Sequence, residues 1–218
     1  MKRNYQLDTT APIASHDLIK QIAFHEAGHA AGIYLYNKQQ GLPSVFFQIT
    51  QTADKLVNLP DASLRDCFVA GVEGGYLIDN LPVTLLESAC YFSATVQDAY
   101  QAAFEADMIN LLVGALAEAK HVALREGEYF NVNKAGISTL RFYGGTSDLD
   151  KVFDYLERFI AGREKREDKM IGLLAKAVAF LDNVGHWQAI ERLAAFILDS
   201  KESAISCEEA IAVLDRPY

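Results

Sequence analysis

The chain is short of cysteine, of basic charge and of long apolar runs, and each shortage closes a class of explanation. Cys67, Cys90 and Cys207 are its only cysteines; they are widely spaced, form no CxxC pair and leave an odd count for disulfides. A reducing cytoplasm is therefore the expected compartment. The formal net charge of −9 makes nucleic acid or an anionic membrane surface an unsuitable partner. The opening "MKRNYQLDTTAP" has two basic residues with no apolar run behind them, so no signal peptide is expected. Stretches such as "MIGLLAKAVAFL" are too short or too interrupted by charge to span a bilayer, so no membrane insertion is expected. There is no GxxxxGK[ST], hence no phosphate-binding loop, and no internal repeat or low-complexity segment.

What is present is a core. Of 218 residues, 50% are hydrophobic and 22% charged, which fits one globular domain over 1–218. The spacing predicts a helix from about Ser15, as N-cap, to Asn37, with Leu18, Ile22 and Ile33 on one apolar stripe. "SVFFQITQ" (44–51) and "CFVAGVEGGYLID" (67–79) read as strands from their β-branched and aromatic content. From about Pro82 the pattern turns helical, with two helices expected to meet near residues 104–108. A further helix should open at Ser147, bury Leu149, Val152, Phe153, Leu156 and Ile160, and stop at Gly162. Helices over about 164–181 and 186–199 follow, and Ser206 with Glu209 forms a capping box for the last one. The run "REKREDK" (163–169) is mixed in sign and reads as a solvated helix face. The fold class is thus α+β, predominantly α-helical, with a small antiparallel β-sheet.

The chemistry concentrates in "AFHEAGHAAGIYLY" (23–36). Residues i and i+4 of a helix share a face, so His25 and His29 can present two imidazoles to one ion. Glu26 lies round the helix from His25, placed to approach a metal-bound water without ligating the metal. Zinc suits two imidazole nitrogens and lowers the pKa of its water to about 7 in an open site. A carboxylate beside that water can take its proton and pass it to a leaving amine. Ala27 and Gly28 put small residues where a close neighbour needs room; glycine inside a helix costs about 1 kcal/mol relative to alanine. A catalytic zinc needs a third protein ligand. "AAGIYLYNKQQGLP" holds no acid and no histidine, so that ligand comes from afar: Asp148, Asp150, Glu118, His121 or, less fittingly, His186. Glu118 reads equally as a group orienting a ligand histidine and as a solvated helix charge. Tyr76 and Tyr143 suit an oxyanion or simple packing.

"FHEAGHA" resembles the zinc motif of the FtsH peptidase domain, the proteolytic module of the AAA+ membrane proteases, and "GGTSDLDKV" (144–152) resembles that family's Gly-Ala-Ser-Asn-Asp-Leu segment. The resemblance implies that Asp148 is the third zinc ligand. "LLVGALAEAKHV" is similar to the family's Gly-Arg-Ala-Ala-Glu-Glu helix, keeping Gly114, Ala117 and Glu118, with Ala115 and Ala119 at the arginine and second glutamate positions. "GGYLIDNLP" and the closing helices are similar more loosely. Ser147 stands where the family has asparagine, and about 51–105 carries inserted sequence, with C-terminal helices over about 164–218. The resemblance implies a zinc metallopeptidase fold acting on a peptide or unfolded protein. It implies His25, His29 and Asp148 on zinc and Glu26 as the base, without an ATPase of its own. A separate ATPase partner and a homo-oligomer are compatible with it. The alternatives are a non-catalytic binding or regulatory module that keeps the fold, and a metal-dependent hydrolase of small amides. If a peptide is bound, "SVFFQIT" is a strand it could extend.

Overall fold

The computed structural model describes residues 15–54, 67–78, 94–130 and 137–217. Helix α1 (Ser15–Ala31) continues through a π-helical turn, Gly32–Tyr36, into the short α2 (Asn37–Gln39). The expected single helix is therefore continuous to Gln39, where Gly41, with φ +65°, turns the chain. The Ser15 cap falls outside the described side chains. Strands β1 (Phe47–Asp54) and β2 (Cys67–Gly74) pair antiparallel from Phe47↔Gly74 to Asp54↔Cys67. Strand β3 (Ala204–Ile205) adds to the far side of β1, giving the order β2-β1-β3. The first strand begins three residues later than its composition suggests: Phe46 is 66% exposed, whereas Phe47 and Ile49 are buried.

The two helices expected to meet near residues 104–108 are one helix, α3 (Ala94–Arg125). No glycine or proline lies between residues 94 and 113, and Ala103, Phe104, Ala106 and Met108 are all buried. Buried Asp107 accepts the backbone N–H groups of Leu77 and Ile78, both at 2.9 Å, and fixes the chain just after β2. Apolar on all sides in its middle, α3 is the central pillar, with α1, α4 and α5 packed around it. Residues 82–93 of the expected helical region, and residues 131–136, lie outside the described residues.

Helix α4 (Thr146–Phe159) buries Leu149, Val152 and Leu156 as expected, but Phe153 is 40% exposed. Gly162, read as a stop, is instead the N-cap residue of α5 (Arg163–Asp182), with φ +93°. Helix α6 (Val184–Asp199) starts on Asn183, whose side chain accepts the His186 N–H. Helix α7 (Cys207–Leu214) has the Ser206–Glu209 capping box. The described residues thus form a mostly helical α+β protein with a small antiparallel sheet. None of its described helices is long and apolar enough to cross a membrane.

Candidate metal centre

Three helices meet around the HEAGH motif. A Cβ on Gly28 would stand 2.8 Å from Ala117 Cβ and 2.9 Å from Val113 O, so α1 and α3 cross backbone to backbone. A Cβ on Gly114 would stand 2.3 Å from His29 Nε2, so this glycine makes room for the imidazole. The opening of α4 comes equally close, at Gly145, whose Cβ would meet Ala115 Cβ at 2.7 Å. That crowding brings the first turn of α4 and its Asp148 onto the histidine face of α1.

His25, Glu26, His29, Glu118 and Asp148 are all buried, none above 2% exposed. His25 Nε2 lies 3.0 Å from His29 Nε2, and Asp148 Oδ2 lies 3.3 and 3.4 Å from the two. The other ring nitrogens are already engaged. His29 Nδ1–H donates to the Asn110 carbonyl at 2.8 Å, and His25 Nδ1–H donates to Glu118 Oε2 at 3.1 Å. A carbonyl cannot donate and a carboxylate is an acceptor, so both protons are fixed on Nδ1. Neutral imidazoles held in this way turn two bare lone pairs and a carboxylate oxygen towards one point. Nothing among those three atoms supplies a positive charge, so the cluster calls for a cation. The second oxygen, Asp148 Oδ1, is buried and has no hydrogen-bond partner. Ligand bonds of about 2.0–2.1 Å in a tetrahedron put neighbouring donor atoms about 3.3–3.4 Å apart. The two separations to Asp148 fit that edge, the 3.0 Å between the histidine nitrogens is shorter than it, and two imidazoles with one carboxylate suit zinc. His25, His29 and Asp148 are therefore a candidate metal-binding triad.

With no cation, a proton has to serve. Burial opposes charge on His25, but its hydrogen bonds to Asp148 and Glu118 and the nearby Glu26 prevail and raise it to about 10. Burial likewise resists charge on Asp148, yet the neighbouring His29 and the hydrogen bonds with both histidines hold its carboxyl far below the usual range. Glu26 moves the other way. Burial, against the opposing pull of His25 and His29, raises it above an ordinary glutamate. Its Oε2 accepts the backbone N–H of Val72 on β2 at 2.8 Å.

The sequence candidates separate cleanly. Asp148 joins the histidines, whereas Asp150 faces solvent and pairs with Arg141 at 2.9 Å. Glu118 is not a solvated charge; it is fully buried and orients His25. His121 stacks on Phe24 at 3.9 Å, and burial, then Arg125, keeps it below an ordinary histidine. His186 Nδ1–H donates to the Phe180 carbonyl, away from the triad. The Tyr76 hydroxyl accepts from Lys151 Nζ at 2.9 Å, and Tyr143 is half-buried. Three contributions escaped sequence reasoning: the Asn110 carbonyl, the Val72 N–H and the space at Gly114. The first two are backbone groups without a sequence signal. Gly114 did carry one, since glycine inside an apolar helix marks a close approach.

Fold and cluster together define a mostly helical α+β protein with a buried two-histidine, one-aspartate centre at a three-helix junction. No protein-family model matches the chain, and no curated protein matches it.

Proposed function

We propose that this protein is a zinc-dependent metallopeptidase, similar in kind to the FtsH peptidase domain and acting without an ATPase of its own. His25, His29 and Asp148 would hold the metal, and Glu118 and the Asn110 carbonyl orient the two rings. Zinc, when bound, supplies a Lewis acid and a water acidic enough to ionise near neutrality. The remaining work falls to the protein. Glu26 takes the proton of the attacking water and returns it to the leaving nitrogen, so water adds across the C–N bond and the bond breaks without net proton change. Burial suits Glu26 to this task because it raises the carboxylate towards the working pH.

A peptide or unfolded protein is the favoured substrate class, and the sheet gives the reason. Strand β1 cannot be the docking strand expected from "SVFFQIT", because β2 and β3 flank it. Among the described residues β2 is the outer strand beside Glu26, and an extended chain laid along it would bring its carbonyls to the triad. No phosphate-binding loop occurs in the sequence. Cleavage by these 218 residues alone should therefore need no ATP. A reducing cytoplasm remains the compartment that suits the cysteine usage, and a homo-oligomer is compatible with the high apolar content.

The single observation that carries this reading is the close approach of three buried ligand atoms, 3.0–3.4 Å apart, beside an independent buried carboxylate. Metal content and peptide-library cleavage, measured on the wild type and Glu26→Gln, test it: the variant should keep zinc and lose cleavage. A second reading draws on burial. A triad no more than 2% exposed also suits a metal that holds three helices together in a binding or regulatory module. Wild-type protein that carries zinc but cleaves neither peptides nor small amides would establish that module instead.

A further inference from the structure

Resting on the peptidase reading, we propose that the Val72–Glu26 hydrogen bond is a lock on the site. An extended peptide adding to β2 takes the Val72 N–H and so frees the Glu26 carboxylate, making the site respond to extended chains and not to small amides.

The pairing register puts this N–H on the outer edge. The Gln51 N–H donates to Ser203 O on the β3 side, and Gln51 pairs with Ala70. In an antiparallel ladder, alternate residues turn their N–H and C=O to opposite edges. Phe47, Ile49 and Gln51 therefore face β3, and their partners Gly74, Val72 and Ala70 face away from β1. The Val72 N–H points out of the sheet, and the acceptor it meets is Glu26 Oε2 at 2.8 Å. That one oxygen thus occupies the position a peptide carbonyl would take in β-augmentation. The two acceptors compete for one donor.

The strand is anchored for such an exchange. Gly74 and Gly75, with φ of +84° and +82°, turn the chain as β2 ends. Asp107 on α3 then clamps the amides of Leu77 and Ile78. Lys151, on the same helix as Asp148, holds the Tyr76 hydroxyl. The edge is thereby tied to α3, which carries Glu118, and to α4, which carries Asp148. A peptide can replace Glu26 without dragging the sheet away from it. A small amide, with no backbone to run along β2, cannot supply the competing carbonyl in register.

The test uses full-length Glu26→Gln, whose amide oxygen still accepts from Val72, against Glu26→Ala, which removes the acceptor. Glu26→Asp, one methylene too short to reach, stands in should the alanine variant fail to fold. Amide exchange at Val72 should be as slow in Glu26→Gln as in the wild type and about tenfold faster in the other two, for a hydrogen bond of roughly 1.4 kcal/mol. A labelled octapeptide of alternating valine and threonine should bind the alanine or aspartate variant about fivefold to tenfold more tightly than Glu26→Gln and slow Val72 exchange again. Acetamide should bind all of them alike. Equal Val72 exchange in all variants, or equal octapeptide affinity, overturns the lock whatever the cleavage assay gives. A wild type that cleaves nothing while the exchange and affinity contrasts hold overturns the peptidase reading alone.

Discussion

Two carboxylate clusters on α3 end in opposite states. Near its N-terminal half, Glu105 receives hydrogen bonds from Lys169, Lys176 and Gln101 at the α3–α5 surface. Its charge is met twice over. Burial works against Glu105, but those donors hold it down at about 2. Between three and four turns further on, Glu118 stands behind a cluster where His25 Nε2, His29 Nε2 and Asp148 Oδ2 can all accept. The first cluster is complete and has nothing to bind. The second has more lone pairs than donors, is buried and leaves Asp148 Oδ1 without a partner. A saturated charge cluster fastens a scaffold; a buried surplus of acceptors marks a place for a cation.

The difference is broken most severely by removing an acceptor from the triad. Outer ligand-orienting groups typically contribute 10- to 100-fold to metal affinity. Asp148→Asn removes a ligand itself and should weaken zinc by more than about 100-fold in a chelator competition, with circular dichroism unchanged. Next comes Glu26→Gln, which leaves the triad whole. It should bind zinc as the wild type does and lose about 10²–10⁴ of the cleavage rate. Glu118→Gln should fall between ligand and scaffold, with a loss of about 10- to 100-fold in zinc affinity. At the scaffold end, Glu105→Gln should leave zinc affinity alone and cost at most about 1 kcal/mol in chemical denaturation. Its contribution should be full above about pH 4.5 and disappear as pH falls towards about 2, because the folded carboxyl is depressed.

Proton competition sharpens the same contrast. In metal-free protein His25 is raised to about 10, so its stabilising charge is fully present below 6.5 and lost as pH rises through about 10. Zinc must displace that proton. Affinity should therefore climb about tenfold per pH unit around neutrality, with close to one proton released per zinc in titration calorimetry run in two buffers.

Much of this arrangement was legible beforehand, and for reasons that can be named. Helical spacing alone puts His25 and His29 on one face. Gly28 in a helix interior signals the tight crossing that Ala117 and Val113 complete. Asp148 could not be told from Asp150 by spacing; the resemblance favoured it, and its place in the first turn of α4, where Gly145 presses on Ala115, explains the choice. Glu118 could not be assigned either, because burial depends on which helix lies opposite. One helix over Ala94–Arg125 replaces the two expected, and the role of Asp107 in it, binding the amides of a distant segment, is a contact that local spacing does not reveal. The edge role of β2 was hidden because strand order depends on β3, two residues contributed from near the C-terminal helix.

The central claim is that His25, His29 and Asp148 hold one metal ion. Its most direct test is zinc titration of chelator-stripped full-length protein, read as stoichiometry and as a shift in melting temperature. One zinc per chain with a raised melting temperature is expected, kept in Glu26→Gln and Asp150→Asn and lost in His25→Ala and Asp148→Asn. A wild type that takes up no zinc and melts at the same temperature with or without it would contradict the account.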